Sequence, residues 1–184
     1  MHSIRTRFTV GILLLTVAGL ALPVIPSTRA GDHGREPGLP SPLCNSLQVP
    51  PGNEVAEHAF AVGSQVYRWN GAAWDFVAPV ATLSPDAGHT AVVGIHYAGP
   101  TWDNNGGSKV VGRRVAACSP DPTAIPWLLL EAASTTGPGV FSSVTFIQRV
   151  NTAGGLAPAT PGSSVGEVVA VPYSAEYFFY RADD

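Results

Sequence analysis

Gln65-Val66-Tyr67-Arg68-Trp69-Asn70-Gly71-Ala72-Ala73-Trp74-Asp75-Phe76 is the stretch that decides the fold class. Two alternating runs flank Asn70-Gly71. Asn-Gly between such runs signals a hairpin, because a type I′ turn needs positive φ at both central residues. A two-residue turn sets Trp69 opposite Ala72, Tyr67 opposite Trp74 and Gln65 opposite Phe76. Tyr67, Trp69, Trp74 and Phe76 then share one face, which predicts that this face is buried. Arg68 and Asp75 fall on the other face as diagonal neighbours, an arrangement suited to a solvated ion pair.

Outward from this hairpin the same grammar continues. Thr90 to Tyr97 is rich in strand formers and ends at Gly99-Pro100. Lys109 to Ala117 follows the turn-forming Asp103-Asn104-Asn105-Gly106-Gly107. Ser143 to Val150 precedes Ala153-Gly154-Gly155. Glu167 to Val171 and Ala175 to Arg181 close the chain. The apolar run Trp127 to Ala133 fits a buried strand or a short helix equally. Gly and Pro total 37 of 184 residues, which makes turns frequent. Short strands broken at this spacing predict a mainly β, single-domain antiparallel β-sandwich or barrel with little helix.

The ends of the chain set compartment and charge. Arg5 and Arg7 precede an uncharged apolar run, Phe8 to Leu22, and Thr28-Arg29-Ala30 leaves a small residue at a cut. Residues 1–30 thus read as a cleavable secretory signal, the run being short for a membrane span. Gly31 to Pro42 is polar and Pro/Gly-rich, so residues 31–46 are expected as a flexible lead to a domain over 47–184. Cleavage removes Arg5, Arg7 and Arg29 and no acid, leaving 7 basic against 13 acidic residues, a net charge of −6. Nucleic acid and anionic membrane surfaces are therefore poor partners. Only Cys44 and Cys118 are present. In an exported chain these two are expected to pair, against the alternative of two unpaired thiols. The expected location is secreted or extracytoplasmic, with association with the cell envelope open.

No catalytic motif stands in the context its chemistry needs. The sequence has no His-Glu-x-x-His and no Cys-x-x-Cys, and Gly162-Ser163-Ser164-Val165-Gly166 fits the Gly-x-Ser-x-Gly spelling but precedes an expected strand, not the helix of a nucleophile elbow. On one uninterrupted strand His89 and His96 differ by seven positions and face opposite sides, so no metal site and no cofactor is expected. Asp103, Glu131 and Glu176 are available carboxylates, but nothing fixes their separation. The most informative stretch is His96-Tyr97-Ala98-Gly99-Pro100-Thr101-Trp102-Asp103-Asn104-Asn105. Its Gly-Pro forces a turn and leaves Trp102 in a polar loop. A ring beside a carboxylate and amides suits a glycan-stacking or small-ligand surface. The alternative is a Trp102 folded back onto the core.

Four segments, in order, resemble a known family. They are Gly99-Pro100-Thr101-Trp102, Ile125-Pro126-Trp127-Leu128-Leu129-Leu130, Ile147-Gln148-Arg149-Val150-Asn151-Thr152-Ala153-Gly154-Gly155 and Pro172-Tyr173-Ser174-Ala175-Glu176-Tyr177-Phe178-Phe179-Tyr180. Together, from about Leu47 to Tyr180, they resemble the bacterial and fungal family catalogued as domain of unknown function 3455. The resemblance implies an exported protein without an assigned activity. Two features depart from the family pattern: Gly106-Gly107-Ser108 lacks an acid, and no Cys follows Ala157-Pro158. The Cys44–Cys118 bridge is thus expected from compartment alone.

Two functional classes follow. The first is a non-catalytic binding or envelope-associated module taking a glycan or small apolar ligand, with His96, Trp102, Asp103, Asn104 and Arg149 as candidate contacts. The second is an extracytoplasmic enzyme with a site around His96 and Asp103. A cleft joining His96, Asp103 and Arg149 would favour the enzyme, and an exposed Trp102 on a flat surface would favour binding. In the last strand Glu176, Phe178 and Tyr180 share one side and Ala175, Tyr177, Phe179 and Arg181 the other. Both sides are aromatic, so the strand is expected to be covered on both faces. Glu176 then needs a partner, and Arg149 is the expected one.

Overall fold

The computed structural model describes residues 34–184. The secretory segment expected at residues 1–30 lies outside the described residues. Eight strands follow one 3-10 turn, Asn45–Leu47: β1 (Asn53–Trp69), β2 (Trp74–Ser84), β3 (Gly94–Tyr97), β4 (Thr101–Asn104), β5 (Lys109–Cys118), β6 (Trp127–Thr136), β7 (Val144–Gly154) and β8 (Val168–Ala182). Each strand pairs antiparallel with the next, and β1 pairs with β8, so the sheet closes into an up-and-down barrel. Of the two architectures expected, barrel and sandwich, the barrel is the one formed. The ambiguous apolar run at Trp127 is strand β6. The two runs expected at the C-terminus are one strand. Pro172 lies just past the last β7 pair, Gly154–Tyr173, where one missing N–H is tolerated.

Period-two alternation divides the apolar residues between two layers. The lumen holds Ala59, Ala61, Ala81, Leu83, Trp102, Val110, Leu130, Ile147, Tyr177 and Phe179, among others. Eight strands enclose a lumen just wide enough for side chains or one small ligand, so large rings need small neighbours. Gly112 is such a neighbour: a Cβ there would stand 3.0 Å from the Trp102 ring and 3.1 Å from Leu130. The second layer lies on the outer wall. There Cys44, Leu47, Val55, Cys118, Trp127, Leu129, Val150, Phe178 and Tyr180 pack together, with Leu39 and Val49 against them. The segment before β1 therefore forms a strap over the barrel wall. A disulfide joins Cys44 to Cys118, with Cα atoms 5.5 Å apart, as the sequence led us to expect. Of the segment expected as a flexible lead, Leu39 and Cys44 belong to this packing.

The decisive hairpin forms, in a different register. Trp69 pairs with Trp74, Arg68 with Asp75 and Tyr67 with Phe76, followed by a bulge after Val66. The connection is four residues long. Asn70 does not take the positive φ of a type I′ turn. Its Oδ1 instead accepts hydrogen bonds from the Ala72 and Ala73 amides at 2.8 and 2.9 Å, while Gly71 takes φ +101°. Asparagine has capped the turn with its side chain rather than bending its own backbone. A slip of two residues keeps the same four aromatics on one face. That face is only partly core: Tyr67 is buried, Trp69 and Trp74 are half-buried, and Phe76 is 54% exposed. The expected Arg68–Asp75 ion pair is not made. Asp75 accepts a hydrogen bond from the Asn70 amide at 3.0 Å instead.

Strand β8 is covered on both faces, as its composition predicted: Tyr177 and Phe179 fill the lumen, and Phe178 and Tyr180 lie under the strap. The expected partner of Glu176 is wrong. Arg149 pairs in register with Tyr177, and Val150 with Glu176, so Arg149 and Glu176 project from opposite faces of the sheet. Glu176 is held on the outer wall, where His58 Nε2 and Asn151 Nδ2 both donate to it at 2.9 Å. These two hydrogen bonds, the His58 one foremost, keep its carboxyl below the usual range.

Candidate functional site

One end of the lumen is left unfilled. A cavity of about 480 Å³ lies among Gln65, Val77, His96, Trp102, Leu128, Leu130, Arg149 and Tyr177, with Pro100 and Phe76 at its rim. Among the described residues, three arginines and no carboxylate line it. All four segments that carry the family resemblance supply side chains to this wall.

The hairpin of β3 and β4 brings in two of them. His96 and Trp102 are paired across that hairpin, and both project inward. Their rings stack with centroids 4.3 Å apart, and each meets Tyr177 edge-on. His96 Nδ1 donates to the Thr101 carbonyl at 2.9 Å, which fixes the tautomer and leaves Nε2 as an acceptor. Burial lowers the His96 pKa to about 3, with the Arg149 charge adding to the effect against the Thr101 hydrogen bond. The imidazole is therefore neutral at physiological pH.

Arg149 enters from β7. Its Nε and Nη2 both donate to the Pro126 carbonyl, at 3.2 and 2.8 Å. The guanidinium also acts on the Tyr177 hydroxyl without reaching hydrogen-bond geometry, and acts electrostatically on Tyr67 and Tyr173. Burial raises all three phenols, and the Arg149 charge partly offsets that. Tyr67 donates to the Gly155 carbonyl at 2.7 Å and Tyr173 approaches Tyr177 hydroxyl to hydroxyl at 3.5 Å. Among the described residues, no carboxylate lies within 4.0 Å of the Arg149 guanidinium. Two carboxylates next in sequence to lining residues are engaged elsewhere, Glu131 with Arg113 and Asp103 with Lys109.

Two lining residues carry buried donors with no hydrogen-bond acceptor among the described residues, Gln65 Nε2 and Trp102 Nε1. The Gln65 amide acts on the Tyr173 phenol without reaching hydrogen-bond geometry.

The residues singled out in the sequence are thus divided. His96, Trp102 and Arg149 converge. Trp102 is neither in a loop nor on a surface: it lies on β4 and is 1% exposed. Asp103, its neighbour on the same strand, points outward to Lys109 at 2.8 Å, because successive side chains alternate. Asn104 serves its own turn, its Oδ1 accepting from the Ser108 amide and hydroxyl, each at 3.0 Å. His89 lies in the connection before β3 with φ +52°, since that strand begins only at Gly94. No three potential metal-ligating side chains cluster among the described residues. Sequence reasoning missed Gln65, Tyr173 and Tyr177. Gln65 had a signal: it shares the parity of Tyr67 and Trp69, a polar residue on a face read as core.

Comparison with curated proteins and with solved structures finds no match. A family model does match, over residues 50–181, which is the barrel itself from just before β1 to the penultimate residue of β8. The chain with this cavity therefore belongs to the family described as protein of unknown function (DUF3455).

Proposed function

We propose that this protein is an extracytoplasmic, non-catalytic binding module that holds one small, largely apolar ligand in the barrel lumen. The observation that carries the reading is the cavity. Its volume falls in the range of small-molecule sites, and its walls are mostly apolar with a few convergent polar groups. Without a carboxylate in the lining, and with His96 neutral, the site has hydrogen-bonding groups but no acid–base pair. This favours binding over the enzymatic reading, which relied on Asp103 beside His96. Trp102 offers no open platform for glycan stacking, so a small apolar ligand is favoured over a glycan. The Cys44–Cys118 bridge supports an oxidising compartment.

The test is titration with N-phenyl-1-naphthylamine, a neutral apolar dye. Saturable binding at one site per chain is expected. Leu128→Trp, which places an indole in the cavity, should abolish it while leaving the thermal midpoint within a few degrees. Dye binding that never saturates, or that Leu128→Trp leaves intact, would remove the lumen as the site.

A further inference from the structure

The polar groups of the cavity are biased toward one kind of ligand atom. Gln65 Nε2 and Trp102 Nε1 are buried donors without acceptors. Arg149 has five N–H donors, of which two go to the Pro126 carbonyl. Among the described residues, the guanidinium makes these two hydrogen bonds, and no carboxylate pairs with it. The exposed Arg114 lines the same cavity and forms no ion pair among the described residues. A half-buried cation without a counter-ion, beside unsatisfied neutral donors, is costly unless something supplies negative oxygen. Among the described residues no carboxylate lines the cavity, and Asp103 and Glu131, next in sequence to the lining residues Trp102 and Leu130, are paired with Lys109 and Arg113.

We propose that the ligand is a small monocarboxylate on an apolar body, its carboxylate held by Arg149. This inference rests on the reading of the lumen as a binding site. The guanidinium fork matches a carboxylate in two parallel hydrogen bonds. Gln65 and Trp102 stand as neighbouring donors, and the apolar body lies among Leu128, Leu130 and Val77. Arg114 at the rim adds attraction without contact geometry. The chain as a whole is acidic, so the preference for an anion is a property of this cavity and not of the surface. Aliphatic and aromatic acids share the chemistry recognised, and paired probes separate them.

The experiment is calorimetric titration of the full chain with two isosteric pairs, decanoate with decanamide and 4-phenylbutanoate with 4-phenylbutanamide, at neutral pH and fixed salt. At least one carboxylate should bind tenfold or more tightly than its amide. Arg149→Met should erase that preference, bringing acid and amide affinities within threefold of each other, and Arg114→Gln should weaken the acid by threefold or less. The wild-type comparison needs no variant, so a poorly folded Arg149→Met does not spoil it. Acid and amide binding alike would overturn the carboxylate while leaving the lumen as a binding site. A preference that survives in folded Arg149→Met would overturn Arg149 as its origin. Binding of neither pair, together with no dye binding, would overturn the lumen reading as well.

Discussion

Gln65 and Gln148 are the same residue type at the same burial, each 2% exposed, on opposite sides of the barrel wall. Gln148 faces the strap. Its Nε2 donates to the Leu47 carbonyl and its Oε1 accepts from the Tyr180 hydroxyl, each at 2.6 Å. Gln65 faces the lumen, and its Nε2 donates to nothing. A buried amide that is fully partnered stabilises the fold, whereas one left without an acceptor burdens it. The strap side is finished by the chain itself. The lumen side holds two buried donors, Gln65 Nε2 and Trp102 Nε1, without an acceptor among the described residues.

This contrast can be broken most forcefully by pH. His96 has its pKa lowered to about 3 on the lumen side, from 6.5 when unfolded. The unfolded chain therefore binds the proton more readily. The stability involved is fully present above pH 6.5 and is lost as pH falls toward 3, on the order of 5 kcal/mol over that window. Urea denaturation from pH 7 to pH 4 should show a steep loss, and His96→Phe should flatten it. A parallel pH profile in the variant would mean that the ring is not buried as described.

Next in size is the bridge that pins the strap. Cys44→Ser with Cys118→Ser removes a long loop constraint and should cost about 2–4 kcal/mol. The same substitutions should leave dye binding in the lumen within threefold, since the strap packs on the outer wall. Denaturant midpoints with and without reductant check the first statement, and the dye titration checks the second. Coupled loss of both would merge the two sides into one unit.

The glutamines themselves give the smaller and sharper pair. Gln148→Leu strands the Leu47 carbonyl and the Tyr180 hydroxyl and should cost about 1–3 kcal/mol. Gln65→Leu removes an amide donor that has no acceptor, and stability should change by less than about 1 kcal/mol, in either direction. Equal losses in equilibrium unfolding would erase the distinction between a partnered and an unpartnered amide.

Much of this molecule was legible in local sequence, and the failures share one cause. Turn dipeptides and β-branched runs located parts of β1, β2, β3, β5, β7 and β8, because those signals act within a few residues, but Thr101–Asn104, read as a loop, is β4, and residues 53–64 of β1 were not read as strand. The bridge was expected from two cysteines in a chain read as exported. His96, Trp102 and Arg149 were noticed one by one. What local reading did not supply was parity between distant strands. Glu176 was matched to Arg149 because both lie among apolar neighbours, but a one-residue difference in pairing puts them on opposite faces. Asp103 was placed beside His96 because it is near in sequence, yet strand alternation turns it outward. Closure into a barrel depends on β1 meeting β8, and no feature of either strand alone announces it.

That closure also orders events in time. Seven of the eight pairings join strands adjacent in the chain, whereas β1 with β8 brings Asn53 beside Ala182. Synthesis delivers β1 first and β8 last, so the longest strand of the ring must wait for nearly the whole chain before one of its sides is paired. Contacts of such large sequence separation form slowly, because the intervening loop must be ordered before they repay it. Until then β1 presents a seventeen-residue edge able to accept any strand it meets, including that of a second nascent chain. Ring closure is the step that removes this open edge.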